Sequence, residues 1–89
     1  MDHSTEAFLE MLAAERGAAQ NTLAAYAADL ADFAVHLRAR SVSLAEAGAD
    51  DVRSYLAGLD AVGLSARTAA RRLSVLRQFF LFQVREGLR

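Results

Sequence analysis

The chain has no cysteine and no proline, and all ten of its basic residues are arginine. The lack of cysteine excludes a disulfide scaffold and a thiolate metal site. No apolar run approaches the roughly 20 residues that cross a bilayer. The N-terminus has no basic region ahead of an apolar stretch, so no secretory signal is expected, and a soluble cytoplasmic domain without membrane contact is the expectation. Without proline, the segment boundaries fall to Gly17, Gly48 and Gly63. What is abundant is alanine, with 20 of 89 residues, the best helix former. At 54% hydrophobic, the chain is too apolar to be disordered and is sized for one domain with one modest core.

A net charge of −1 conceals an asymmetry. Residues 1–64 carry four arginines and ten acids; residues 65–89 carry six arginines and only Glu86. The two parts are −6 and +5, and the second part suits an anionic partner.

Apolar residues recur three and four apart, the helical period, and no alternation is long enough for a strand. The spacing predicts an all-α bundle of four helices. The first covers Thr5–Arg16, capped by Ser4 or Thr5, with Phe8, Leu9, Met11 and Leu12 as its stripe and Gly17 as its stop. The second covers Asn21–Ala39, with Asn21 or Gln20 as cap and a five-turn stripe of Leu23, Tyr26, Ala27, Leu30, Phe33, Ala34 and Leu37. A short buried turn is expected over 41–48. The third helix starts near Gly48–Asp50, has Val52, Tyr55, Leu56 and Leu59 on its inner face and ends before Gly63. The fourth runs from the cap Ser65 to Arg85. Turning 100° per residue from Leu73 places Ala69, Leu73, Leu76, Phe80 and Val84 on a core face. Arg67, Arg71, Ser74, Gln78 and Arg85 then form an acid-free polar stripe, and Arg72 and Arg77 flank the core. The expected core is Leu23, Leu30, Phe33, Leu56, Leu73, Leu76 and Phe80. Val75 and Phe82 fall off that face and are expected to be partly exposed.

Catalytic chemistry is scarce. His3 lies at the terminus, where fraying is expected. His36 and Asp32 stand one turn apart and read as a helical ion pair. Asp50 and Asp51 read as helix-start residues, and Tyr26 and Tyr55 as packing residues. No triad, phosphate loop or zinc pattern is present, so no catalytic residue, metal or cofactor is expected. An arginine stripe beginning at a helix N-terminus can instead meet phosphates or the guanine edge in a major groove.

Motifs along almost the whole chain carry a resemblance. They are Asn21-Thr22-Leu23-Ala24-Ala25-Tyr26-Ala27-Ala28-Asp29-Leu30, then Asp50-Asp51-Val52-Arg53-Ser54-Tyr55-Leu56, then Gly63-Leu64-Ser65-Ala66-Arg67-Thr68, then Arg72-Leu73-Ser74-Val75-Leu76-Arg77-Gln78-Phe79-Phe80. In that order and spacing the chain resembles the N-terminal core-binding, SAM-like domain of tyrosine recombinases and phage integrases, nearest to the Xer type. The resemblance implies one such domain over residues 1–89, itself non-catalytic. It implies double-stranded DNA as partner, together with a C-terminal catalytic domain of the same parent and other recombinase subunits. The helices implied to face DNA are the second, at Thr22, Ala24, Ala25 and Ala28, and the fourth, at Arg67, Thr68 and Arg71, with Ser74 and Gln78 behind. The chain departs from the family in having alanines where basic residues often surround the Tyr-x-x-Asp-Leu motif. A small protein-interaction module using exposed Val75 and Phe82 is the alternative reading.

Overall fold

The computed structural model describes residues 3–88. It holds four helices: α1 (His3–Arg16), α2 (Gln20–Ala39), α3 (Ala49–Ala61) and α4 (Ala66–Arg85), with no strand among the described residues. The all-α four-helix expectation holds, and α3 and α4 begin and end within a residue or two of their expected limits.

Local chemistry explains most of the boundaries. Ser65 caps α4 through its hydroxyl, which accepts from the Thr68 backbone N–H at 3.1 Å. Asp51 closes the start of α3 by accepting from the Gly48 N–H at 2.9 Å, so Asp51 has the helix-start role expected of it. Helices α2, α3 and α4 all end in paired reverse hydrogen bonds around a left-handed residue. For α3 the bonds run from Leu64 to Leu59 and from Gly63 to Asp60, with Gly63 at φ 79°. After α2 the left-handed position falls on Ser41, at φ 59°. Residues 41–48 are a turn, as expected, with Val42 and Leu44 against the core and Ala47 buried. Two starts differ from expectation. α1 begins at His3, which puts Ser4 and Thr5 inside its first turn and gives His3 helical structure. The cap of α2 is Ala19, which offers no side-chain acceptor, so Gln20 and Asn21 lie within the helix.

α2 and α4 pack on each other, and α1 and α3 each touch both of them but not one another. A run of ring contacts threads the core. Phe8 of α1 meets Phe79 and Phe82 of α4 at centroid distances of 5.5 and 5.6 Å. Phe80 reaches Phe33 of α2 at 6.2 Å, and Phe33 meets Tyr55 of α3 at 5.1 Å. Leu30, Leu37, Leu59 and Leu76 fill the space between.

α4 corrects the expected core. Val75 and Phe82 are 0% and 6% exposed, whereas Val84, expected inside, is 56% exposed. Leu23, Leu56 and Phe80 are only partly buried at the core margin, and Leu73 is partly buried outside that cluster. The true inner face is Arg72, Val75, Leu76, Phe79, Phe82 and Gln83. It lies about one position earlier than the expected stripe, a rotation of about 100°. The packing of α1 accompanies it: this rotation presents Phe79 and Phe82 to Phe8. The burial of Val75 and Phe82 removes the support for an interaction module built on their exposure.

Candidate nucleic-acid interface

The rotation of α4 redraws its outer surface. Arg67, Ala70, Ser74, Arg77, Leu81, Val84 and Arg85 are exposed. Arg77, expected beside the core, joins the outer face, while Gln78 is half-buried at its margin. No acid stands on α4 before Glu86. Arg85 shares an open surface hollow with Glu10, Glu15 and Glu86, so the unopposed positive surface is the first two-thirds of the helix.

The residues expected to meet DNA have different surroundings. Arg67 stands in the first turn with no hydrogen bond or ion pair among the described residues. Thr68 is half-buried and tied to the cap, its hydroxyl accepting from Ser65 at 3.0 Å. Ser74 accepts from the Gln78 amide at 3.2 Å, and the Gln78 oxygen accepts from Arg16 at 3.1 Å, which brings an α1 arginine to the edge of the stripe. Thr22 is exposed on α2 and Ala25 is half-buried, flanked by exposed Ala24 and Ala28. Ala25 lies one turn before Asp29, whose carboxylate joins α2 to α4.

That junction is the part of the surface the sequence did not reveal. Asp29 is 3% exposed. Arg71 grips it with two bonds, Nε to Oδ2 at 3.2 Å and Nη2 to Oδ1 at 2.9 Å. Arg72 lies on its other side, with Nε 3.5 Å from Oδ1, and donates from Nη1 to Asp32 at 2.8 Å and to the Tyr55 hydroxyl at 3.1 Å. The Tyr55 hydroxyl itself donates to Asp32 at 2.7 Å. Burial pushes the Tyr55 phenol up to about 12, and its bond to the Asp32 carboxylate adds to the rise. The Arg72 pKa also rises, which in its case favours the charged form: burial opposes it, but the contacts with Tyr55, Asp32 and Asp29 outweigh that burial. Buried Asp29 thus meets two arginines, which offsets a charge that would be costly alone, while Asp32 is exposed. The expected His36–Asp32 pair does not form, because Asp32 is taken by Tyr55 and Arg72. His36 instead packs its ring 5.4 Å from that of Tyr55, with Nε2 buried and unpartnered.

On α3, the Gly48 N–H and then Arg40, 3.0 Å away, hold the Asp51 carboxyl below the usual carboxylate range. Asp50 pairs with Arg53. Among the described residues no group of three or more His, Asp or Glu side chains is placed to hold a metal ion. No helix among them is long and apolar enough to cross a membrane.

Comparison with known proteins gives a consistent set of relatives. The profile of the family described as phage integrase, N-terminal SAM-like domain, matches residues 5–87. Over 84 residues the chain is 57% identical to tyrosine recombinase XerD of Rhizobium meliloti, covering 94% of this chain and 27% of that protein. It is 54% identical to XerD of Agrobacterium fabrum, covering 94% and 25%, and 49% identical to XerD of Caulobacter vibrioides, covering 94% and 28%. The chain therefore spans about a quarter of the length of these relatives. No solved structure matches it.

Proposed function

Because the chain belongs to the phage integrase N-terminal SAM-like domain family, we propose that it is the DNA-gripping domain of a Xer-type tyrosine recombinase. In this reading α2 and α4 lie against the recombination-site duplex. Strand cleavage and rejoining belong to a separate C-terminal domain of the parent protein, and this domain is itself non-catalytic. Its partners are double-stranded DNA, that catalytic domain and the other recombinase subunits assembled on the same site.

The observation that carries the reading is the acid-free outer face of α4. Arg67 and Arg77 project from it with no partner among the described residues, and half-exposed Arg71 stands beside them. Long cationic donors alternate there with the small residues Ala70 and Ser74, a surface that can enter a major groove without steric conflict. Arg67, in the first turn, adds its charge to the positive end of the helix dipole and suits a phosphate. Thr22, Ala24, Ala25 and Ala28 let α2 approach the backbone closely while adding no charge. Ser74 and Gln78 supply polar groups along the same side, and Thr68 stands half-buried at the helix start.

A salt-dependent titration with duplex DNA tests this. With about three to four phosphates neutralised, log K falls against log[salt] with a slope near −3 to −4. Arg67→Ala weakens binding and lowers the slope by about one. In an NMR titration at low salt, amide shifts centre on α4 from Arg67 to Gln78 and on the first turns of α2. Shifts confined to α1 and α3, or no binding at low salt, would refute the reading.

A further inference from the structure

We propose that Asp29 is a positioning residue that aims the outer edge of Arg71 at a guanine in the major groove. The inference rests on the DNA-binding reading above and deepens it by naming what sets base preference.

A guanidinium has two edges able to make paired hydrogen bonds. One is the side edge, Nε–H with Nη2–H; the other is the end, Nη1–H with the second Nη2–H. Asp29 occupies the side edge of Arg71, at 3.2 and 2.9 Å. Three N–H groups remain, two of them on the end edge, and Nη1 has no hydrogen bond among the described residues. Burial differs sharply across the pair: Asp29 is 3% exposed and the Arg71 side chain 48%. The carboxylate is therefore a fixed internal anchor, and the guanidinium bridges from it to solvent. The O6 and N7 acceptors of guanine match such an end edge.

Anchoring favours a base over a phosphate. A phosphate can be met from many directions by a freely rotating arginine, which is how Arg67 stands. Arg71 has already lost its side-chain freedom in folding, so it loses less on binding a target of one fixed geometry. Arg72 contributes to the same anchor, lying 3.5 Å from Asp29 Oδ1 and held in turn by Asp32 and Tyr55. The carboxylate thus has a second arginine of α4 beside it, and Tyr55 of α3 holds that arginine in place. A mobile Asp29 would carry Arg71 with it; a braced one fixes the direction of its free edge.

The test uses the 89-residue chain and a pool of DNA duplexes with a randomised centre. Bound duplexes are selected at low salt and sequenced, and the affinity for the unselected pool is measured separately. The wild-type chain enriches guanine at one position, with discrimination of about 5- to 150-fold. In Asp29→Asn that preference collapses, while affinity for the unselected pool rises because a negative charge has been removed. Arg71→Lys can still pair with Asp29 but has no forked end edge; it also loses the preference, and adding Asp29→Asn to it then changes the preference no further. Thermal melts by circular dichroism select a temperature at which every variant is folded, and Arg71→Lys keeps the test open if Asp29→Asn does not fold. Retention of the guanine preference in Asp29→Asn overturns the inference. So does an equal loss across all sequences in Arg71→Lys, which would mark a phosphate contact. A wild-type chain that binds the pool but enriches no guanine overturns this inference alone; one that fails to bind the pool at low salt overturns the DNA-binding reading with it.

Discussion

Two valines on α4 give a sharp measure of how that helix is turned. Val75 is 0% exposed and Val84 is 56% exposed, although the periodicity of the sequence suggests the reverse. Truncating either to alanine removes the same atoms and gains the same helix propensity, about 0.5 kcal/mol in favour of alanine. The difference between the two variants is therefore the burial term alone. At Val75 the missing carbons are worth about 1.6 kcal/mol of transfer free energy, and the void left in a packed core adds to that. A difference of about 2–3 kcal/mol follows, with Val75→Ala the weaker. Val84→Ala should be neutral or slightly stabilising. For a domain of this size each kcal/mol moves Tm by about 4–8 °C, so the two variants should melt about 8–24 °C apart. Urea unfolding followed by far-UV circular dichroism gives the free energies, and an unchanged m-value shows that the unfolded reference is the same. Valines are better probes here than Phe79, whose truncation costs about 3–5 kcal/mol. That is a large share of the about 4–13 kcal/mol available to 89 residues. Equal losses at Val75 and Val84, or a larger loss at Val84, would refute the packing of α1 on Phe79 and Phe82.

Two further outcomes are expected from single side chains. Ser65→Ala removes the acceptor for the Thr68 N–H and should cost about 0.5–2 kcal/mol, read from the same urea curves; a neutral result would mean that the cap is replaced by water at no cost. Tyr55 should contribute tyrosinate absorbance only near pH 12. Its folded pKa lies above the unfolded value of 10.0, so its stabilising contribution is complete below pH 10 and lost as pH rises from there toward 12. An alkaline melt series should show that loss and show less of it in Tyr55→Phe; identical alkaline profiles would rule out ionisation of Tyr55 as its source.

The helices, most of their boundaries and the charge asymmetry follow from residue order alone. Gly17, Gly63 and Gly87 each take the left-handed conformation that glycine allows, and Ser65 caps as its hydroxyl suggests. The stripe of α2 was legible because Leu30, Phe33 and Leu37 repeat at helical spacing, and Val35 is the single large apolar residue between them that falls off that face. α4 was not legible in that way. Its residues 79–82 read Phe-Phe-Leu-Phe and go all the way round the helix, and Leu73, Val75, Leu76 and Val84 add apolar positions on several sides. Any of several rotations then buries a similar apolar area, and helical periodicity cannot choose among them. Tertiary structure chose the rotation that packs Phe79 and Phe82 against Phe8 on α1. The same choice moved Arg77 outward and turned Arg72 inward toward Asp29, Asp32 and Tyr55. An arginine shows its charge in the sequence but not its partner. Asp29 and Arg71 stand 42 residues apart, so only the packing of α2 on α4 decided which arginine is anchored and which ones stand free.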